Sequence, residues 1–280
     1  MKTITSRKHP MVHAFRELAD TPDATGTRLL LDGVHLVRDA HAAGLEFEVV
    51  AVAAAHLDAD TEEGTLAQRL AHEGVELLTA SADAFAAMSP VRTPSGMVAI
   101  ARRQASDAAR ICGVPDAFIL VAVGVQDPGN LGSVVRAAEA GGVTGVLVCG
   151  SSANPFSWKA LRGSMGSALR LPIVTALPLS EVMACLGQHG ARTIAAVPRG
   201  GRPQDEVAWT GRVGLILGGE GQGLGDAVTA ACDDRVTIPM AAPVESLNVA
   251  ASAAILVYAA RRQRTPPEPH RHDVNGRPGS

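Results

Sequence analysis

Residues 238–264 read IPMAAPVESLNVAASAAILVYAARRQR, and the architecture of the chain follows from how this stretch is parsed. A short apolar strand ends at Pro239 and small residues make a loop. Ser246 then stands where a helix N-cap accepts a backbone N–H from two or three residues ahead. Beyond it Leu247, Val249, Ala250, Ala254, Ile255, Val257 and Tyr258 leave almost no polar face before Arg261. A helix apolar nearly all round is buried on more than one side, here by its own domain and by a second subunit. Ser246 and Asn248 are therefore expected at a buried mouth, where polar groups cost free energy unless something needs them.

Working back from that stretch, strands and helices alternate. AFILVAVGV, 117–125, is a continuous apolar run suited to a strand buried on both faces. Asp127–Asn130 reads as a turn, LGSVVRAAEAGG as a helix closed by Gly141, and Val143–Cys149 as the next strand. A short helix over Phe156–Gly166, an apolar piece at Leu171–Val174, a helix at Leu179–Gln188 and strands at Thr193–Val197 and Val213–Leu217 follow. This α/β alternation predicts a mostly parallel sheet with helices on both faces, with ligands beyond the carboxyl ends of its strands. The polar segment Arg102–Asp116 marks a boundary. Residues 1–106 then form a smaller α/β unit, 107–116 a linker, 117–264 a second unit, and the Pro- and His-rich residues 265–280 a disordered tail. In the first unit, strands are expected at Arg28–Leu31, Glu46–Ala53 and Met97–Ala101, and helices at Gly33–Ala43, Thr65–Glu73 and Ala82–Ala87.

Composition sets the outer limits. At 280 residues and 46% hydrophobic, the chain has material for two cores. With only 3% aromatic residues, those cores are packed by Ala, Val and Leu. A net charge of −3 excludes a uniformly basic coat but allows a local basic patch. The opening segment supplies one in Arg7, Lys8 and Arg16, which is either a phosphate-contacting arm or an ordinary solvated helix. Cys112, Cys149, Cys185 and Cys232 are far apart, with no Cys-x-x-Cys and no Cys/His cluster. They predict reduced, buried thiols and no bound metal. No leader pattern and no apolar run near ~18 residues is seen, so a soluble, cytoplasmic protein is expected.

Three clusters of glycine and polar residues follow strands of the second unit: 127–130 with Arg136, 218–225, and 239–248. The alternating Gly219, Gly221 and Gly223 look like a dinucleotide fingerprint, but that motif follows a first strand and is answered by an acid about 20 residues on. With no Walker Lys-Ser/Thr either, the loop reads as backbone held close to a ligand, with Glu220 as its one charge. A nicotinamide oxidoreductase would have to be revealed by NADH binding.

Together, Asn130-x5-Arg136, LILGGEGQGL and IPMAAPVESLNVAASAAILVYAA resemble, in order and spacing, the three motifs of the SpoU/TrmH branch of SPOUT RNA 2′-O-ribose methyltransferases. ITSRKHPMVHAFREL, LLLDGVHLVRDA and TPSGMVAIARR are similar to an L30e-like RNA-binding domain, with Asp32 where that pattern commonly has Glu. The resemblance implies a deep trefoil knot, S-adenosylmethionine bound at Val197, Gly218, Ile238 and Leu247, and a homodimer formed through the second unit. It implies in-line attack of a ribose 2′-oxygen on the methyl carbon, with Arg136 beside the ribose, near the other subunit's site. Because arginine rarely loses its proton, anchoring phosphate or stabilising an oxyanion suits Arg136 better than acting as a base. A salt bridge with Glu139 is the alternative. Asn130 is expected to orient Arg136 or substrate, with helix capping as its alternative role and the two compatible. Glu220, Ser246 and Asn248 complete the polar pocket, and Arg162 contacts RNA phosphate or is a plain surface arginine. The attached first unit favours ribosomal over transfer RNA, and a non-catalytic RNA-binding factor is the rival reading.

Overall fold

The computed structural model describes residues 2–58, 60–221 and 223–265; the tail expected at 265–280 lies outside them from residue 266 on. In the first unit β1 (Lys2–Ile4), β2 (Arg28–Asp32), β3 (Glu46–Ala53), β4 (Leu77–Ala80) and β5 (Met97–Arg102) form a mixed sheet ordered β1-β4-β3-β5-β2. Helices α1 (Pro10–Asp20), α2 (Val34–Ala42), α3 (Glu62–His72) and α4 (Ala82–Met88) cover it. Caps set their starts: Thr61 Oγ1 accepts from Gly64 N, and Ser81 Oγ from Ala84 N. The three-residue β1 and four-residue β4 are too short to show a period of two, so the sequence pattern missed both.

The second unit is a seven-stranded sheet in which every pair is parallel. Its strands are β6 (Phe118–Val123), β7 (Gly145–Cys149), β8 (Ile173–Leu177), β9 (Arg192–Ala196), β10 (Arg202–Pro203), β11 (Val213–Gly218) and β12 (Asp234–Thr237), in the order β10-β12-β9-β11-β6-β7-β8. The segment expected as a linker carries α5 (Ala108–Gly113), whose Ile111 and Cys112 are buried in the core of this sheet. The remaining helices are α6 (Pro128–Ala140), α7 (Trp158–Ser164), α8 (Ser167–Arg170), α9 (Leu179–Gln188), α10 (Gly225–Ala231) and α11 (Val249–Arg264). No side chain of α10 is buried, so periodicity had no apolar stripe to find there.

Alternation along the central strands divides the helices between two faces. Phe118, Leu120 and Leu215 share a core with residues of α6 and α11, whereas Ile119, Val121 and Ile216 share one with α5 and α9. The register also fixes where loops leave. Gly218 pairs with Val123 at the carboxyl ends of β11 and β6, and Val236 pairs with Ala196 at those of β12 and β9. The turns after all four strands therefore emerge at one edge.

The stretch 238–264 behaves differently from its first parsing. The strand ends at Thr237, and the helix begins at Val249 with Asn248, not Ser246, as its cap. Asn248 Oδ1 accepts from Ala250 N at 2.8 Å and Ala251 N at 3.3 Å; Asn is as good a cap as Ser. Residues 241–248 are exposed, so Ser246 and Asn248 stand at an open rim rather than a buried mouth. In α11 itself Ala253, Leu256, Val257 and Ala260 are buried, while Ala251, Ile255 and Tyr258 form an exposed stripe.

The two units are packed together, and their apolar side chains run into one core. A Cβ on Gly26 would lie 2.0 Å from the Phe156 ring, and Arg103 lies over the same ring at 4.2 Å. Asp32, buried at the end of β2, accepts from Ser89 Oγ at 3.1 Å and from Arg162 Nη1 at 3.2 Å. Desolvation raises the Asp32 carboxyl above its ordinary value, opposed by these two donors.

Cys112 and Cys149 are buried, and burial pushes their thiols up to about 12 and about 11. Cys185 and Cys232 are half-buried. Two of these cysteines, far apart in the sequence, meet a histidine in space: donor atoms of Cys112, Cys185 and His189 all lie within 4.8 Å of one another. Folding brings α5 against α9, a proximity the spacing along the chain could not show.

Candidate active site

The first loop leaves β6 and turns into α6, where Asp127 Oδ1 accepts from Asn130 N at 2.7 Å and Pro128 occupies the first turn. The second leaves β11 directly beside it. Gly219 N donates to Val123 O at 2.7 Å, and a Cβ at Gly219 would fall 1.8 Å from Gly124 O. Only glycine permits that approach. The loop doubles back through a Gly219–Gly223 bridge, so a Cβ at Gly218 would meet the Gly223 carbonyl carbon at 2.4 Å.

Side chains from all three clusters meet at this edge. Asn130 Nδ2 donates to Glu220 Oε1 at 2.6 Å. Asn248 Nδ2 donates to Asn130 Oδ1 at 3.0 Å and to Glu220 Oε1 at 3.2 Å. The orientations follow from one another. Asn248 Oδ1 is committed to the α11 cap, so its amide nitrogen faces the pocket. That presents a donor to Asn130 Oδ1 and turns the Asn130 nitrogen to the carboxylate.

Next to this triad is a cavity of about 540 Å³, within the range of small-molecule sites. Val197, Gly218, Ile238 and Leu247 all line it, as do Glu220 and Ser246. The wall also includes Asp226, Thr229 and Ser252, which the sequence reading missed. Ser252 lies one turn beyond Asn248, so the four-residue spacing was the signal available for it. Asp226 and Thr229 sit on α10, which periodicity does not reveal.

Arg136 is not part of this assembly within one chain. It is exposed in the second half of α6, roughly 9 Å along the axis from Asn130, and does not line the cavity. Nor does it pair with Glu139, whose carboxylate accepts two bonds of 2.7 Å from Arg170. Among the described residues Arg136 has no hydrogen bond or ion pair. Arg162 is held by Asp32 in the first unit, with its side chain 49% exposed. Arg7, Lys8 and Arg16 are exposed and in no ion pair with described residues. Arg7 and Lys8 precede α1 and Arg16 stands on its outer face, the helix itself being capped by His9 Nδ1.

The model of the SpoU rRNA Methylase family matches residues 117–258. This chain belongs to that family. Similarity extends over both units. The 23S rRNA (guanosine(2553)-2′-O)-methyltransferase RlmP of Bacillus subtilis is 31% identical over 92% of this chain and 98% of its own. An uncharacterized tRNA/rRNA methyltransferase of Synechocystis is 34% identical over 94% of each. Among solved structures, an RNA 2′-O ribose methyltransferase superposes with a TM-score of 0.78 at 33% identity, covering 94% of this chain and 99% of that one. The SpoU methyltransferase AviRb of Streptomyces viridochromogenes, solved with its cofactor S-adenosylmethionine, gives 0.79 at 25% identity, covering 91% and 99%.

The SpoU cavity suits that cofactor. Val197, Ile238 and Leu247 offer aliphatic surface to a flat base, and Gly218 and its neighbours offer backbone polar groups at a wall no side chain obstructs. Glu220 and Asp226 place negative charge where a sulfonium or an ammonium would be balanced.

Proposed function

We propose that this SpoU-family chain is an S-adenosylmethionine-dependent RNA methyltransferase that methylates a ribose 2′-hydroxyl of ribosomal RNA. The observation that carries the reading is the meeting of Asn130, Glu220 and Asn248 at the rim of the cavity lined by Val197, Gly218, Ile238 and Leu247. Bound there, the cofactor supplies an activated methyl group on a sulfonium. The chain's part is positioning. Glu220, shared between two amides, holds the three loops in one arrangement, and Ser246 at the rim offers a hydroxyl to the target phosphate. As the ribose oxygen forms its bond to the methyl carbon and the methyl–sulfur bond breaks to leave a thioether, the hydroxyl proton passes to solvent and a positive charge stabilises the oxygen. Arg136 supplies that charge from a second copy of the chain, across an interface built on the exposed Ala251–Ile255–Tyr258 stripe of α11. That helix packs on α6, which carries Arg136.

The first unit, residues 1–106, binds the RNA through Arg7, Lys8 and Arg16 in the manner of an L30e-like domain. The trefoil knot belongs to the same proposal, supported by the way Gly218–Gly221, Gly223–Gly225 and Ile238, Met240, Ser246 and Leu247 wall a single cavity. Ribosomal rather than transfer RNA is favoured because RlmP, named for 23S rRNA, matches across both units.

The test is methyl transfer from labelled S-adenosylmethionine to ribosomal and transfer RNA from a deletion strain, with the product position mapped. Labelling of ribosomal RNA at one ribose is expected. Gly218→Trp, whose side chain would collide with the Gly223 backbone and displace the loop that walls the cavity, abolishes cofactor binding in calorimetry. Cofactor binding without transfer to either RNA would favour the assembly-factor reading.

A further inference from the structure

On the sheet face opposite α6 and α11, three soft donors come together. Cys112 lies in the last turn of α5, while Cys185 and His189 are four residues apart on α9 and its C-cap and so share one side of the helix. Their donor atoms all lie within 4.8 Å of one another, and Cys185 Sγ is 3.9 Å from His189 Nδ1. Tetrahedral zinc, with Zn–S about 2.3 Å and Zn–N about 2.1 Å, requires S···N edges of about 3.6 Å and S···S edges of about 3.8 Å. The cluster thus needs to contract by about 1 Å at most, within reach of cysteine and histidine rotamers.

We propose that Cys112, Cys185 and His189 form a zinc site, with water as the fourth ligand. His189 Nδ1 faces the Cys185 carbonyl at 2.9 Å, so binding exchanges that hydrogen bond for a metal bond by a small turn of the ring. Both thiols are ligands as thiolates, and their protons pass to solvent as the ion enters. Two thiolates balance the dication, so the nearby Arg212 guanidinium, which bonds the His189 and Val114 carbonyls, faces a neutral centre. Half-burial of Cys185 and His189 gives the ion a way in, while Cys112 fixes the inner side. The ion would pin α5, the connector between the two units, to α9, and would act as a structural clasp remote from the methyl-transfer cavity.

The test uses the full-length protein, freed of metal by a chelator and kept reduced. Titration with Zn2+ against a chromophoric chelator is expected to show one equivalent taken up. Co2+ in its place is expected to give the near-ultraviolet sulfur-to-cobalt charge-transfer band of thiolate ligation. Cys185→Ser and His189→Gln, both at half-buried positions, are each expected to weaken binding at least tenfold and to remove the zinc-dependent rise in Tm. No uptake, uptake unchanged in both variants, or cobalt binding without the thiolate band would each overturn the assignment.

Discussion

Asn130 Nδ2 lies 2.6 Å from Glu220 Oε1, joining residues 90 apart in the chain. The acceptor is a carboxylate, so the bond is of the charge-assisted kind, and it ties the first turn of α6 to the loop after β11. Because Asn130 does not line the cavity, its removal is expected to loosen geometry rather than cofactor affinity. Asn130→Ala should lower kcat by roughly 10²-fold with the dissociation constant for S-adenosylmethionine little changed. Single-turnover methylation alongside calorimetry checks this, and a matching loss in cofactor affinity would contradict it.

Asn248 has two tasks that substitution can separate. Its oxygen caps α11 and its nitrogen donates to Asn130 and Glu220. Ser at this position keeps a cap acceptor and loses the amide donors, so Asn248→Ser should cost about 0.5 kcal/mol or less in stability. Activity should nevertheless fall at least tenfold. Asn248→Ala, which loses both tasks, should cost about 1 kcal/mol in addition to the activity loss. Urea unfolding and methyl-transfer rates on the two variants measure the terms independently.

Part of this site is legible in the sequence. The run 117–125 is largely buried, as continuous apolar residues predict, whereas Val197, Gly218, Ile238 and Leu247, which line one cavity, are indicated by the family resemblance and not by any local pattern. What was not legible depends on distance between elements. Asn248 rather than Ser246 caps α11 because the loop stays extended past Ser246 along the cavity, and no local preference separates two good capping residues. Arg162 pairs with Asp32, 130 residues away, although its segment reads only as a short helix and Arg162 as an RNA contact or a plain surface arginine. Glu139 turns to Arg170 instead of Arg136 because α8 folds back on α6.

The Asp32–Arg162 pair gives stability a particular pH dependence. Asp32 has no exposed side-chain surface, and Arg162 is half exposed. Arg162→Met leaves a buried carboxylate without its cation and should cost about 2 kcal/mol near neutral pH, less than the ~3–5 of a fully buried pair. Burial has already raised the Asp32 carboxyl, so protonation favours the folded state and this contribution is lost as pH rises through its folded value. Losing Arg162 raises that value further. The gap between variant and wild type should therefore narrow as the pH falls from neutral towards the carboxylate range. Asp32→Asn introduced beside Arg162→Met should abolish that narrowing. Denaturant midpoints for the three proteins across the range provide the check.

Arg136 on its own chain has no partner among the described residues and no place on the cavity wall, which makes its origin experimentally separable. If it serves the partner's site, an Arg136→Ala chain keeps a sound cavity and a Gly218→Trp chain keeps a sound arginine. A mixed dimer of the two then contains one site with both. Equal mixing after reversible dissociation yields half mixed dimers, so about a quarter of wild-type activity should return from two inactive parents. Arginine acting within its own chain gives no recovery in that mixture. Tyr258→Asp, which places charge on the exposed α11 stripe, should shift sedimentation towards the monomer and lower activity with it. A fully active Tyr258→Asp monomer would remove the second copy from the mechanism.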